Sequence, residues 1–275
     1  MVPGGLVGGL HLGFRRILNL NRRGEGRDVG VDVLGVIGIA LGTAILPALS
    51  RYIAKSQDDE AVRLQANAIE LAMLLTLPCA VALFFTGSAF VKAFMEGQAF
   101  TAEDARVTGM VTSALVIGLP AYVLVKVLTP NFFARKDTRT PVITAAVSLV
   151  VTVSLNAAFI FGLGLGVVGL ALAGAIGAWV NIMLLGAILA RRGLFRLPVR
   201  VVGRVGRIAV ASGIMGAALA ALMSVITPWL DGPLSGRLLA IAAIMVVSLI
   251  TYGGASVLLG VLDKATIQRL MRRQS

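Results

Sequence analysis

Thr144, Ser148, Thr152 and Asn156 recur at four-residue intervals inside an apolar run. Four residues advance a helix by about 400°, so the set drifts only about 40° per step and forms one polar stripe. Such a stripe can wall a hydrated cavity that receives a polar solute. It can also be silent, because Ser and Thr hydroxyls bond the carbonyls of their own helix at little cost. Asn156 is harder to satisfy in that way. Asn181, in the next apolar run, has two similar options: a hydrogen bond across helices, or a place on the same wall.

Glu70 and Lys126 are charges set just inside apolar runs, where an ionisable group is costly and turns toward an interior or a partner. Their depths are compatible with a Glu70–Lys126 pair, and Lys126 can instead snorkel outward. The connection from Lys126 to Pro141 is the densest in chemistry: Pro130, Phe132, Phe133, Arg135, Lys136, Asp137, Arg139 and Pro141 lie within it. Its two prolines predict where one helix stops and the next begins, since neither donates a backbone hydrogen bond. Arg135 and Asp137 are its gate or loop candidates. Asp58, Asp59 and Glu60, between Lys55 and Arg63, read as a solvated acidic face.

Enzymatic chemistry finds no footing. The lone histidine, His11, lies in an atypical leader, and there is no Cys/His metal spacing, phosphate-cradling loop or nucleophile–base arrangement. Cys79 stands inside an apolar run as a packing residue and allows no internal disulfide. No cofactor and no metal are expected.

The elements that position these residues follow from composition. Of 275 residues, 57% are hydrophobic and 14% charged, and the mean hydropathy is +0.91. A soluble domain cannot hide that much apolar surface, so the chain reads as an all-α polytopic membrane protein. Runs of spanning length fall near 33–50, 66–86, 106–128, 141–162, 166–190, 207–228 and 238–261, each close to the ~20 residues that cross a bilayer. The net charge of +12 then reflects cationic loops at an anionic membrane surface and not nucleic-acid binding.

Loops alternate in charge. Fifteen Lys and Arg follow the first, third, fifth and seventh spans, against Lys92, Arg106 and Arg237 in the others. The asymmetry predicts that the rich segments, including the C-terminus, face the cytoplasm. By the same rule residues 1–32, with Arg15, Arg16, Arg22, Arg23 and Arg27, sit on the wrong side. Their apolar run, residues 1–14, is too short and Gly-rich for a span, and their charges follow it where a signal peptide's would precede it. The leader reads as not native to the fold, and the odd span count as that of a fragment. Ser88–Gly97 predicts an amphipathic interfacial helix, Thr101 an N-cap for the third span, and Gly169, Ala173 and Gly177 a small-residue face for close helix approach.

Three stretches, Gly35 to Ser50, Leu75 to Leu83 and the Lys126–Pro141 connection with its Pro130, Phe133, Arg135, Asp137 and Thr140, closely resemble segments of the lipid II flippases (MurJ, also called MviN). Gly97, Phe100, Thr101 and Asp104 add a weaker match. The resemblance covers about residues 33–275. It implies the multidrug/oligosaccharidyl-lipid/polysaccharide exporter superfamily: two six-helix lobes around a central cavity, with two further C-terminal helices in this family. On that pattern 33–190 belongs to the second lobe, and 191–275 supplies a basic loop and the two C-terminal helices. The implied activity is translocation of an undecaprenyl-linked peptidoglycan precursor from the cytoplasmic to the periplasmic leaflet of the inner membrane by alternating access. Partners are that precursor, membrane lipids and an N-terminal lobe missing from this chain. An Asp-Arg pair expected upstream of Gly35 is met only by Arg27-Asp28 in reversed order, so its role is not carried over. The alternatives are an exporter of another polyprenyl-linked glycan or a drug, and an inactive half-transporter or membrane scaffold.

Overall fold

The computed structural model describes residues 45–95, 102–230, 232 and 234–261, and every regular element among them is helical. In chain order these are α1 (Ile45–Ala54), α2 (Asp58–Met95), α3 (Ala102–Ala134) and α4 (Arg139–Ala157, widening into a π-helical turn, Ala158–Gly162). They continue with α5 (Gly166–Arg191), α6 (Val199–Leu230) and α7 (Leu234–Leu258). Among the described residues six helices are long and apolar enough to cross a membrane; α1 is shorter. The rest of the first expected span, the leader and the C-terminal basic tail lie outside the described residues.

α2 is the spine. It packs on α3 on one side and α6 on the other, α3 continues to α5, and α6 to α7. Leu49, Val127, Phe132, Leu185 and Leu189 fill the α1–α2–α3–α5 core, while Ala89, Met215, Leu219, Ile226 and Ile244 fill the α2–α6–α7 core. α4 leans on α5 and barely meets α3, and Thr144 is its one buried residue.

Several boundaries differ from expectation. Pro130 does not end the third span: α3 runs through Pro120 and Pro130 to Ala134. Bundled membrane helices tolerate proline because neighbours satisfy the carbonyl it frees. Pro141 does fall in the first turn of α4, where its missing N–H costs nothing. Residues 88–95 extend α2 as one continuous helix, with Ala89 and Phe90 packed in the α6–α7 core, so they form no separate interfacial helix. The sixth span starts at Val199, taking Arg200 and Arg204 into the helix.

Pro78 shows the proline rule at work. It removes the donor for the Leu74 carbonyl, four residues back in α2, and Tyr252 of α7 donates its hydroxyl to that oxygen at 2.8 Å. The four helices that run to the arginine-rich end close alike. In α3 the Asp137 amide donates to Phe132 O and the Lys136 amide to Phe133 O, both at 2.9 Å, with Lys136 at φ 61°. The same pair of bonds around a left-handed residue closes α1 at Ser56, α5 at Gly193 and α7 at Gly260.

Candidate functional site

The charges of the Lys126–Pro141 connection reach in two directions from a four-residue link between α3 and α4. Arg135 turns to the start of α2: its Nη2 donates to Asp58 at 2.5 Å and its Nε to Asn131 Oδ1 at 3.1 Å. Asn131, fully buried, donates on to Gln65 Oε1 at 2.7 Å. Gln65 is buried as well, and its own amide nitrogen has no protein partner. A chain of side chains thus runs from the surface into the α2–α3 seam. Asp58 is therefore tied into this chain and is not merely part of a solvated acidic face.

Asp137 turns the other way. It accepts the Thr140 amide at 3.0 Å and the Thr140 hydroxyl at 2.6 Å, which caps the first turn of α4, and it accepts Arg192 at 2.7 Å. Arg192 also donates to Thr140 Oγ1 and stacks 5.7 Å from the Phe132 ring. Hydrogen bonds from the Thr140 hydroxyl and amide, then from Arg192, pull the Asp137 carboxyl from 3.8 down to about 2. The α3–α4 link is so clamped on one side to α2 and on the other to the end of α5.

Glu70 pairs with Arg204 of α6 at 2.5 Å, both side chains about four-fifths buried. The Glu70–Lys126 pair is not formed, because α6 begins early enough to bring a closer guanidinium to the carboxylate. Lys126 is half-buried on α3 and has no ion-pair partner among the described residues.

The polar stripe faces α5. Thr144 donates to Pro141 O at 3.1 Å, Ser148 to Gly177 O at 2.6 Å, and Thr152 to Ser148 O at 2.9 Å. The small residues of α5 allow this approach: a methyl on Gly177 would collide with Thr152 Oγ1, and one on Gly169 would lie 2.8 Å from Phe159 Cβ. Asn156 and Asn181 differ from the hydroxyls. Each keeps a buried side-chain oxygen without a protein partner.

The Asn131–Gln65 bridge was not anticipated from the sequence. Its signal is nonetheless there: Asp58 and Gln65 are seven residues apart and Asn131 and Arg135 four, so each pair shares one helix face.

Among the described residues, six helices of spanning length, ion pairs gathered at one end and buried polar side chains within the seams define an all-α polytopic membrane protein. Residues 33–257 match the family model described as Lipid II flippase MurJ. The probable lipid II flippase MurJ of Rhizobium meliloti (strain 1021) is 36% identical over 246 residues, 87% of this chain and 45% of that protein. That of Vibrio cholerae serotype O1 is 33% identical over 229 residues, 83% and 43% of the two chains. A solved structure, a lipid II flippase MurJ in an inward closed conformation, superposes with a TM-score of 0.61 at 25% identity, over 82% of this chain and 44% of that one. The chain belongs to the lipid II flippase MurJ family. It spans about half the length of the curated relatives it matches.

Proposed function

We propose that this chain is the second lobe, with the two C-terminal helices, of a lipid II flippase that carries the undecaprenyl-linked peptidoglycan precursor from the cytoplasmic to the periplasmic leaflet. The observation that carries the reading is the family match across 33–257. A flippase of this kind neutralises a diphosphate, shelters sugars from lipid and switches exposure by rocking one lobe against another. This lobe contributes positioning and polar wall, and catalyses no covalent step.

Asn156 and Asn181, whose buried oxygens have no protein partner, are the residues we assign to the sugar-facing wall, while Ser148 ties that wall to α5 and Thr144 and Thr152 bond carbonyls of their own helix. Arg135 and Asp137 fix the α3–α4 link as the gate, and Lys126 and Glu70 lie one helix turn or more inside it. The arginine-rich end, and with it the C-terminus, faces the cytoplasm of a multi-pass inner-membrane protein. Residues 33–190 form the lobe and 191–275 the appended part.

The test is complementation after acute depletion of a cell's own flippase. The chain is expressed alone, with a first-half polypeptide, and fused to one. Survival in a paired or fused form supports the reading. Lysis in every form, with membrane insertion verified, overturns it. Alanine at Arg135 and Asp137 in the rescuing form tests the gate, and undiminished rescue sinks that assignment.

A further inference from the structure

We propose that the apolar groove between α2, α3, α5 and α6 holds an acyl chain of an anionic phospholipid whose headgroup phosphate is met by Arg196 and Arg200. The groove has a volume of about 300 Å³ and is lined solely by apolar residues, among them Met73, Leu128, Trp179, Phe195, Leu197 and Val202. Its outer lip is exposed, with Leu197 and Val202 both open to the surroundings. A helix, about 10–12 Å across with its side chains, does not fit a space of this volume, whereas an extended hydrocarbon chain does.

Charge names the headgroup. One edge of the groove is made by the α5–α6 link and the start of α6, where Arg196 lies in sequence between the lining residues Phe195 and Leu197, and Arg200 precedes the lining residue Val201. The neighbouring Arg192 and Arg204 are neutralised by Asp137 and Glu70. Arg196 and Arg200 have no ion-pair partner among the described residues and are exposed. Two exposed guanidiniums on the chain segment that edges an apolar slot suit a phosphate carried on hydrocarbon. The inference stands on the groove and its rim, and does not rest on the transport reading.

Trp179 lines the groove, and Trp229 is the chain's other tryptophan, so W229F leaves a single reporter in the wall. The full chain carrying W229F is reconstituted in phosphatidylcholine vesicles. Brominated-acyl phosphatidylglycerol or brominated-acyl phosphatidylcholine is then titrated in, and quenching of Trp179 is read. The expected result is half-quenching by the glycerol lipid at a mole fraction lower by about fivefold for each arginine engaged. R196Q and R200Q should each remove about one such factor. G186L should abolish the preferential quenching, because a side chain on Gly186 projects into the groove with its nearest neighbour, Leu128, 3.9 Å from the new Cβ. An unchanged melting temperature of G186L separates a filled groove from a damaged fold.

Equal quenching by the two lipids overturns the proposal. So does displacement of the brominated glycerol lipid by equimolar undecaprenyl diphosphate, which would make the groove a site for the polyprenyl substrate's tail.

Discussion

Tyr252 of α7 caps a carbonyl of another helix: its hydroxyl donates at 2.8 Å to the Leu74 oxygen that Pro78 strips of its donor in α2. The bond ties the seventh helix to the irregular point of the spine. Y252F leaves that oxygen unsatisfied and should cost about 1–2 kcal/mol. P78A restores an N–H to it, so the double variant P78A/Y252F should lose less than the two single losses added together. Thermal unfolding of the four proteins, followed by size-exclusion chromatography, closes the cycle; strict additivity would remove the assigned role of Tyr252.

Glu70 and Arg204 form a mostly buried pair across α2 and α6. Removing either partner alone strands a charge in an apolar seam, so E70A and R204A should each destabilise by about 3 kcal/mol. E70L/R204M, which replaces the pair with matching hydrocarbon, should recover most of that loss. A double variant as unstable as the worse single one contradicts this account.

The Asp137 clamp has a defined pH window. Its folded carboxyl lies at about 2 against an ordinary 3.8, through the Thr140 bonds first and Arg192 after them. A depressed carboxyl stabilises the fold above its unfolded value and stops doing so as pH falls through the folded one. Stability should therefore be insensitive to this group from neutral pH to about 4 and decline between about 4 and 2. D137N keeps a capping side chain but drops the charge. It should flatten that acid limb specifically, as seen in melting temperature against pH. An identical acid limb in D137N and the parent would refute the assignment.

The α4–α5 seam is tight at one place. G177A should destabilise by about 1–3 kcal/mol through overpacking against Thr152. T152A removes the hydroxyl in the way, and G177A/T152A should melt above G177A. If T152A gives no relief, the contact does not govern the approach of these helices.

Length and apolarity made the long spans and the arginine-rich end legible, because crossing a bilayer is a demand on local composition. The small-residue face of α5 was legible too, since it depends on spacing within one helix. Three things were not. Helix α3 passes through Pro130, where the proline rule predicted its end, and the cap that Tyr252 gives to the carbonyl freed by Pro78 in α2 comes from a residue nowhere near it in sequence. Arg204 was read as part of a loop, because charge tally ignores that arginines sit comfortably in the first turns of a helix whose stem lies along apolar surface. The polar stripe was read correctly as one face. Which neighbour that face meets is a tertiary fact, and α5 takes up the Ser148 hydroxyl through the Gly177 carbonyl.

The helix closures at the arginine-rich end and the ion pairs beside them belong to different moments in the life of the chain. Each closure joins atoms five residues apart or fewer and is complete once its own helix has been made. Asp58 must wait 77 residues for Arg135, and Glu70 134 residues for Arg204. During synthesis from the N-terminal end, α2 therefore enters the membrane with a carboxylate whose cation has yet to leave the ribosome. Glu70 of the spine helix gains its partner only when α6 arrives.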